Sequence, residues 1–224
     1  MTRNSLQYSY QFDNFWHFLN SETEIQATEK WTQAQGARVF LRDCLSCSLA
    51  LSLNMKDVQA GERTECGELE YQAKNHECED STTALVDLLS AAIQELPYYN
   101  NTRLIAAVPA RPGKTTRDLP AVLASRLATK LGLTDLTSHF IYGGPKDQLK
   151  EMPLAERWVA WEGAKLSLSV AGAAILKGHP VILIDDKYQS GVSANFVAML
   201  LQQNGASDVY GLYAVKTMRD SDNT

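Results

Sequence analysis

Beyond about residue 80, apolar residues recur at helical spacing in some stretches and gather into short solid runs in others. From Ser81 or Thr82, one helical face carries Leu85, Leu88, Leu89, Ala92, Ile93 and Leu96, and Pro97 stops it. Arg103–Val108 reads as a buried strand. Asp118 and Pro120 then open a helix bearing Val122, Leu123, Leu127 and Leu131, closed by Gly132. A short strand is predicted at His139–Tyr142, a short helix at Pro153–Glu162 and a strand at Lys165–Val170. Val181–Ile184 is a fully apolar strand, Ser190 caps a helix running to about Gln203, and Val209–Val215 is a final strand.

Alternating strands and helices with solidly apolar strands predict an α/β fold, a mostly parallel sheet with helices on both faces. Before residue 80 the pattern is irregular, with β-like runs at Ala37–Leu41 and Cys47–Leu53. The reading is therefore residues 1–80 as an N-terminal, partly β extension and 81–224 as the main domain.

Charge sharpens that division. The 224 residues carry a formal net charge of −5. Residues 1–80 hold 13 acids and 7 bases, and residues 81–224 hold 13 acids and 14 bases. An anionic small molecule fits the second part better, and the acidic balance argues against direct nucleic-acid binding. No apolar run reaches the length of a membrane span, and the N-terminus lacks a signal-peptide pattern, so a soluble cytoplasmic protein is expected.

The four cysteines, Cys44, Cys47, Cys66 and Cys78, do not suggest a disulfide framework in that setting. One short pair, Cys44 and Cys47, leaves zinc binding open.

The sharpest chemical signal is VILIDDKYQSGVS, Val181–Ser193. Two acids, Asp185 and Asp186, leave the C-terminal end of an apolar strand, where open α/β sheets bind ligands. Lys187, Tyr188, Gln189, Ser190, Gly191, Val192 and Ser193 lead into a helix start. Free N–H groups and the positive helix end there suit a phosphate, and glycine admits close backbone approach. Acids for sugar hydroxyls or a metal, followed by a phosphate cradle, describe a site for a phosphorylated sugar.

This stretch resembles the phosphoribosyl-pyrophosphate motif of type I phosphoribosyltransferases, except that Lys187 stands where an apolar residue is usual. Leu104–Gly132, Gln148–Gly163 and Ile182–Tyr213 look like the ComF-like branch, so that the resemblance covers roughly residues 65–218. It implies binding of phosphoribosyl pyrophosphate with Mg²⁺ and transfer of the phosphoribosyl group to an unidentified base or nucleotide acceptor. Asp185 and Asp186 would take the ribose hydroxyls, directly or through the metal, and Lys187–Ser193 the terminal phosphate. Pro109, Ala110, Arg111, Pro112, Gly113 and Lys114 would hold the pyrophosphate, and Tyr142–Glu162 would close as a lid. Gln189 stands where many purine phosphoribosyltransferases carry an Asp that meets the base, which argues against 6-oxopurine salvage.

A regulator that senses phosphoribosyl pyrophosphate or a nucleotide, and a ComF-like accessory protein in DNA uptake or processing, are the alternatives. The oligomer, a homodimer included, stays open.

Overall fold

The computed structural model describes residues 7–9, 14–16, 21–41, 43–113, 116–145 and 152–217. They fall into two compact units, Met1–Ala37 and Arg38–Thr224. The first contains an antiparallel hairpin of β1 (Gln7–Ser9) and β2 (Asn14–Trp16), then helix α1 (Glu22–Gln35). Ser21 caps that helix by accepting the N–H of Glu24 at 3.2 Å.

The second unit begins with β3 (Val39–Leu41), β4 (Cys47–Leu53), β5 (Met55–Asp57), β6 (Glu62–Arg63), α2 (Glu65–Asn75) and α3 (Glu79–Glu95). It continues with β7 (Leu104–Ala107), α4 (Leu119–Leu131), β8 (Thr134–Asp135), β9 (Phe140–Tyr142), α5 (Leu154–Gly163) and β10 (Leu166–Leu168). Helix α6 (Val170–Leu176), β11 (Val181–Tyr188), α7 (Val192–Gln203) and β12 (Val209–Lys216) complete it.

Six strands form one sheet in the order β3-β4-β12-β11-β7-β8. Every neighbouring pair is parallel except β3 with β4. Side chains alternate across a strand, so β11 feeds two cores. Ile182 and Ile184 pack with residues of α2, α3 and α4 on one face, and Val181 and Leu183 with residues of α5 and α7 on the other. The expected α/β architecture, helices on both faces, is present. Strands β9 and β10 pair antiparallel as a separate ribbon, with α5 between them in sequence. Among the described residues no helix is long and apolar enough to cross a membrane.

Two features differ from the sequence reading. Strand β4, from the stretch read as an extension, sits inside the sheet, pairing with β12 from Tyr210↔Cys47 to Lys216↔Leu53. Helix α2, not anticipated, packs on the same face as α3. Neither has a local signature: β4 meets its partner more than 150 residues away in sequence, and α2 mixes Glu, Lys and Gln with few apolar residues. Helix α3 also starts earlier, at Glu79 after Cys78, and Thr82 bonds back to the Cys78 carbonyl at 2.8 Å.

Candidate functional site

The expected apolar strand ends at Ile184, but β11 runs on to Tyr188, because β12 keeps pairing with it through Tyr188↔Lys216. Asp185 and Asp186 are therefore strand residues; their carboxyl groups lie beside each other, and the Asp186 N–H donates to Asp185 Oδ1 at 2.9 Å. Asp185 lines a 140 Å³ pocket at the end of the strand together with Lys187, Tyr188, Gln189, Ser190, Gly191, Val192 and Ser193. Ala194, Tyr213 and Arg157 complete its lining. Asp186 is not in that lining; it turns toward α2.

Gly191, not Ser190, precedes the first turn of α7, with a left-handed φ of 76°. A Cβ at Gly191 would collide with the Tyr188 hydroxyl, so both backbone and space require glycine. Ser190 has another use. Its Oγ accepts from the Arg157 guanidinium at 3.0 Å, and Arg157 Nε donates to the Met152 carbonyl at 2.8 Å. Three residues on, Ser193 Oγ accepts from the Trp161 indole at 3.2 Å. The segment from Ser190 to Ser193 is thus bonded twice to α5. The Tyr188 ring meets Tyr213 edge-on at 4.9 Å.

The neighbours of the acids come from α2. Lys74 Nζ lies 2.6 Å from Asp186 Oδ2 and 3.8 Å from Glu70 Oε1, and Lys187 Nζ lies 2.9 Å from Glu70 Oε2. Glu70 is fully buried. Lys187 breaks the apolar preference of the motif and here finds a buried carboxylate. Burial pushes the Glu70 carboxyl up and Lys187 opposes the shift. Burial, then the adjacent Asp186 carboxylate, pushes Asp185 well above the ordinary carboxylate range, against the pull of Lys74.

The sign of that shift sets a prediction. An acid whose folded pKa is raised binds more protons folded than unfolded, so stability falls as pH rises from the ordinary carboxylate range through the raised folded value. Asp185→Asn is expected to raise the melting temperature at neutral pH, by about 2–4 °C for each kcal/mol relieved. Its gain over wild type should vanish toward pH 3. Equal melting curves at pH 7 would refute the assignment.

The residues do not fit a Mg²⁺ ion ligated by both acids. An ammonium already sits on Asp186, where such an ion would have to be held. Among the described residues no group of three or more His, Cys, Asp or Glu side chains gathers for a metal. Cys66 is buried and its thiol donates to the Ala214 carbonyl at 3.3 Å, with burial pushing its pKa up to about 11. Cys44 is exposed, Cys47 lies on β4 and Cys78 precedes α3.

The second expected loop is brought alongside. Val108 N–H donates to the Ile184 carbonyl at 2.8 Å, so the loop from Pro109 leaves the sheet beside Asp185. Tyr142 Oη donates to the Pro109 carbonyl at 2.9 Å and ties β9 to that loop. Ala110 is half-buried; Arg111, Pro112 and Gly113 are exposed, Gly113 with φ 72°. None of these lines the pocket around Asp185. Arg117 is held elsewhere, by Glu79 at 2.7 Å and the Ala73 carbonyl at 3.3 Å. Lys114, and the lid residues Lys146, Gln148 and Lys150, lie outside the described residues.

Sequence reasoning missed Glu70, Lys74 and Tyr213. The only available signal was the four-residue spacing of Glu70 and Lys74, which puts them on one helical face.

No protein-family profile matches the chain, and no curated protein does. Among solved structures, an adenine phosphoribosyltransferase from Leishmania tarentolae is similar at 12% identity over 82% of this chain and 98% of that one, TM-score 0.46. One from Rhodothermus marinus DSM 4252 is similar at 14% identity over 89% and 91%, TM-score 0.45. The glutamine phosphoribosylpyrophosphate amidotransferase from B. subtilis, solved with ADP and GMP, is similar at 20% identity over 60% of this chain, TM-score 0.40. This chain spans about a quarter of that amidotransferase, 26%.

Proposed function

We propose that this chain binds the 5-phosphoribosyl group of phosphoribosyl pyrophosphate and transfers it to a base or nucleotide acceptor. One observation carries the reading: the segment Gln189–Ser193, turned by a left-handed Gly191 into the start of α7, shares a pocket with a strand-end carboxylate, Asp185. A phosphate and a pentose hydroxyl, one anion acceptor and one donor, are what such a pair recognises. The motif, not the likeness to solved structures, supports the family, and the ComF-like branch rests on the motif alone.

In this reading the N–H groups at the start of α7 and the Ser190 and Ser193 hydroxyls take the terminal phosphate. Arg157, already on Ser190, adds a guanidinium with further donors. Asp185 accepts from a ribose hydroxyl and faces the positive charge that grows at the anomeric carbon as pyrophosphate leaves. Pro109–Lys114 supplies backbone amides, with Arg111 and Lys114, to the departing pyrophosphate. Mg²⁺ belongs to the ligand here, carried by its phosphate oxygens rather than by an acid pair of the protein. Tyr188 and Tyr213 close the inner side of the pocket against water.

Calorimetric titration with phosphoribosyl pyrophosphate in Mg²⁺ buffer tests the reading. Wild type is expected to bind. Arg157→Ala and Asp185→Asn should each weaken binding by about tenfold to a hundredfold, the loss of a charge-assisted hydrogen bond worth roughly 1.5–3 kcal/mol. Absence of heat with wild type, or equal affinity in both variants, would sink it. Release of pyrophosphate on adding bases then separates a transferase from a sensing regulator that only binds.

A further inference from the structure

The charges around Asp186 form a chain of three links. Asp186 pairs with Lys74 at 2.6 Å, Lys74 approaches Glu70 at 3.8 Å, and Glu70 pairs with Lys187 at 2.9 Å. Two carboxylates and two ammonium groups alternate, so this face of the strand end is neutral without any ion from solution. Both carboxylates are withdrawn from water: the Glu70 side chain is 0% exposed and that of Asp186 is 7% exposed. Two anions so placed demand cations, and the chain supplies them from α2 and from the motif itself.

A divalent ion at Asp186 would meet the Lys74 ammonium at contact range. It could enter only by expelling Lys74, whose remaining partner here is Glu70, 3.8 Å away. Burial draws the pKa of Lys74 down, yet Asp186 and Glu70 together carry it above the ordinary lysine value, so the ammonium is charged throughout the physiological range.

The geometry points to Lys74 as the resident cation beside Asp186: it occupies and aims that carboxylate, so Asp186 ligates no divalent metal and the protein grips a sugar phosphate without one. The part about the sugar phosphate rests on the function proposed above. Lys74 is on this account a positioning residue, acting through Asp186.

The experiment has two arms with separate readouts. In the first, Mn²⁺ alone is titrated into wild type and Asp186→Asn, followed by electron paramagnetic resonance of the free ion. The expected result is no site in the micromolar range in either protein. A wild-type Mn²⁺ site abolished by Asp186→Asn would overturn the proposal, and this arm needs no change at Lys74. In the second, ribose 5-phosphate is titrated by calorimetry with and without a chelator. Wild-type affinity should be the same in both. Lys74→Met should weaken it by at least about tenfold, while Lys74→Arg, which keeps the charge, should stay within about threefold of wild type. Unchanged affinity in Lys74→Met, or dependence on metal in wild type, would overturn the proposal. Failure of ribose 5-phosphate to bind wild type would instead remove the phosphoribosyl reading, and the Mn²⁺ arm alone would then decide the role of Lys74.

Discussion

Truncating Trp161 to alanine is expected to destabilise the protein by about 3–5 kcal/mol, the usual cost of removing a fully buried aromatic. Trp161 is 0% exposed, stacks on Phe196 at 5.1 Å and donates to Ser193 Oγ at 3.2 Å. One helical turn earlier, Arg157 bonds Ser190. The two residues fasten α5 to Ser190 and Ser193, so the loss should extend beyond stability. Amides of Leu154–Gly163 should exchange faster in Trp161→Ala, and affinity for phosphoribosyl pyrophosphate should fall although Arg157 itself is untouched. Trp161→Phe keeps most of the packing and loses the hydrogen bond, for about 1–2 kcal/mol. Denaturant titration measures both. A loss under about 1 kcal/mol in Trp161→Ala would mean that the cavity collapses and that α5 is not anchored there.

Gly67→Ala is expected to be the most damaging single-methyl change, lowering stability by roughly 2–3 kcal/mol through overpacking. Its Cβ would run into the backbone carbonyl oxygen of Asn54. Asn54 cannot yield, because its N–H is bonded to the Lys216 carbonyl at 2.7 Å and its carbonyl accepts from Thr64 at 3.2 Å. Thr64 in turn caps α2, accepting the Gly67 N–H at 2.9 Å. The helix would have to shift, and with it Glu70 and Lys74. The melting temperature should fall by about 5–10 °C, and ribose 5-phosphate binding should weaken beyond what the lost stability explains. Gly163→Ala is the control: nothing lies within 4 Å of its Cβ, so stability should hold or rise slightly. Equal melting of Gly67→Ala and Gly163→Ala would show that α2 is not pinned at Asn54.

Much of the sheet was legible because local pattern and burial coincide there. Arg103–Val108, Val181–Ile184 and Val209–Val215 are solid apolar runs, and they became three adjacent strands, β7, β11 and β12. The leading helices after them carry their apolar residues on one face, as α4 does with Leu119, Leu123 and Leu127 buried. That periodicity is not infallible: Leu88, on the expected buried face of α3, is 44% exposed. Ser190–Gly191 at a helix start was also visible, since glycine after a strand end has few other uses.

Tertiary structure alone decided the rest. Pairing with β12 carried β11 past Ile184, so that the acids became strand residues, Asp185 in the pocket lining and Asp186 on Lys74. Ser190 lost its capping role to a left-handed Gly191 and took Arg157 instead, from a helix more than 30 residues earlier. Glu70 and Lys74 look like an ordinary solvated pair in sequence; only the docking of α2 puts one at 0% exposure and the other on Asp186. The sequence by itself determined which strands are buried and where a glycine turns the chain into a helix, because those depend on neighbours within a few residues. Which cation answers each acid depended on helices and strands brought together across the chain, where the low dielectric makes pairing decisive.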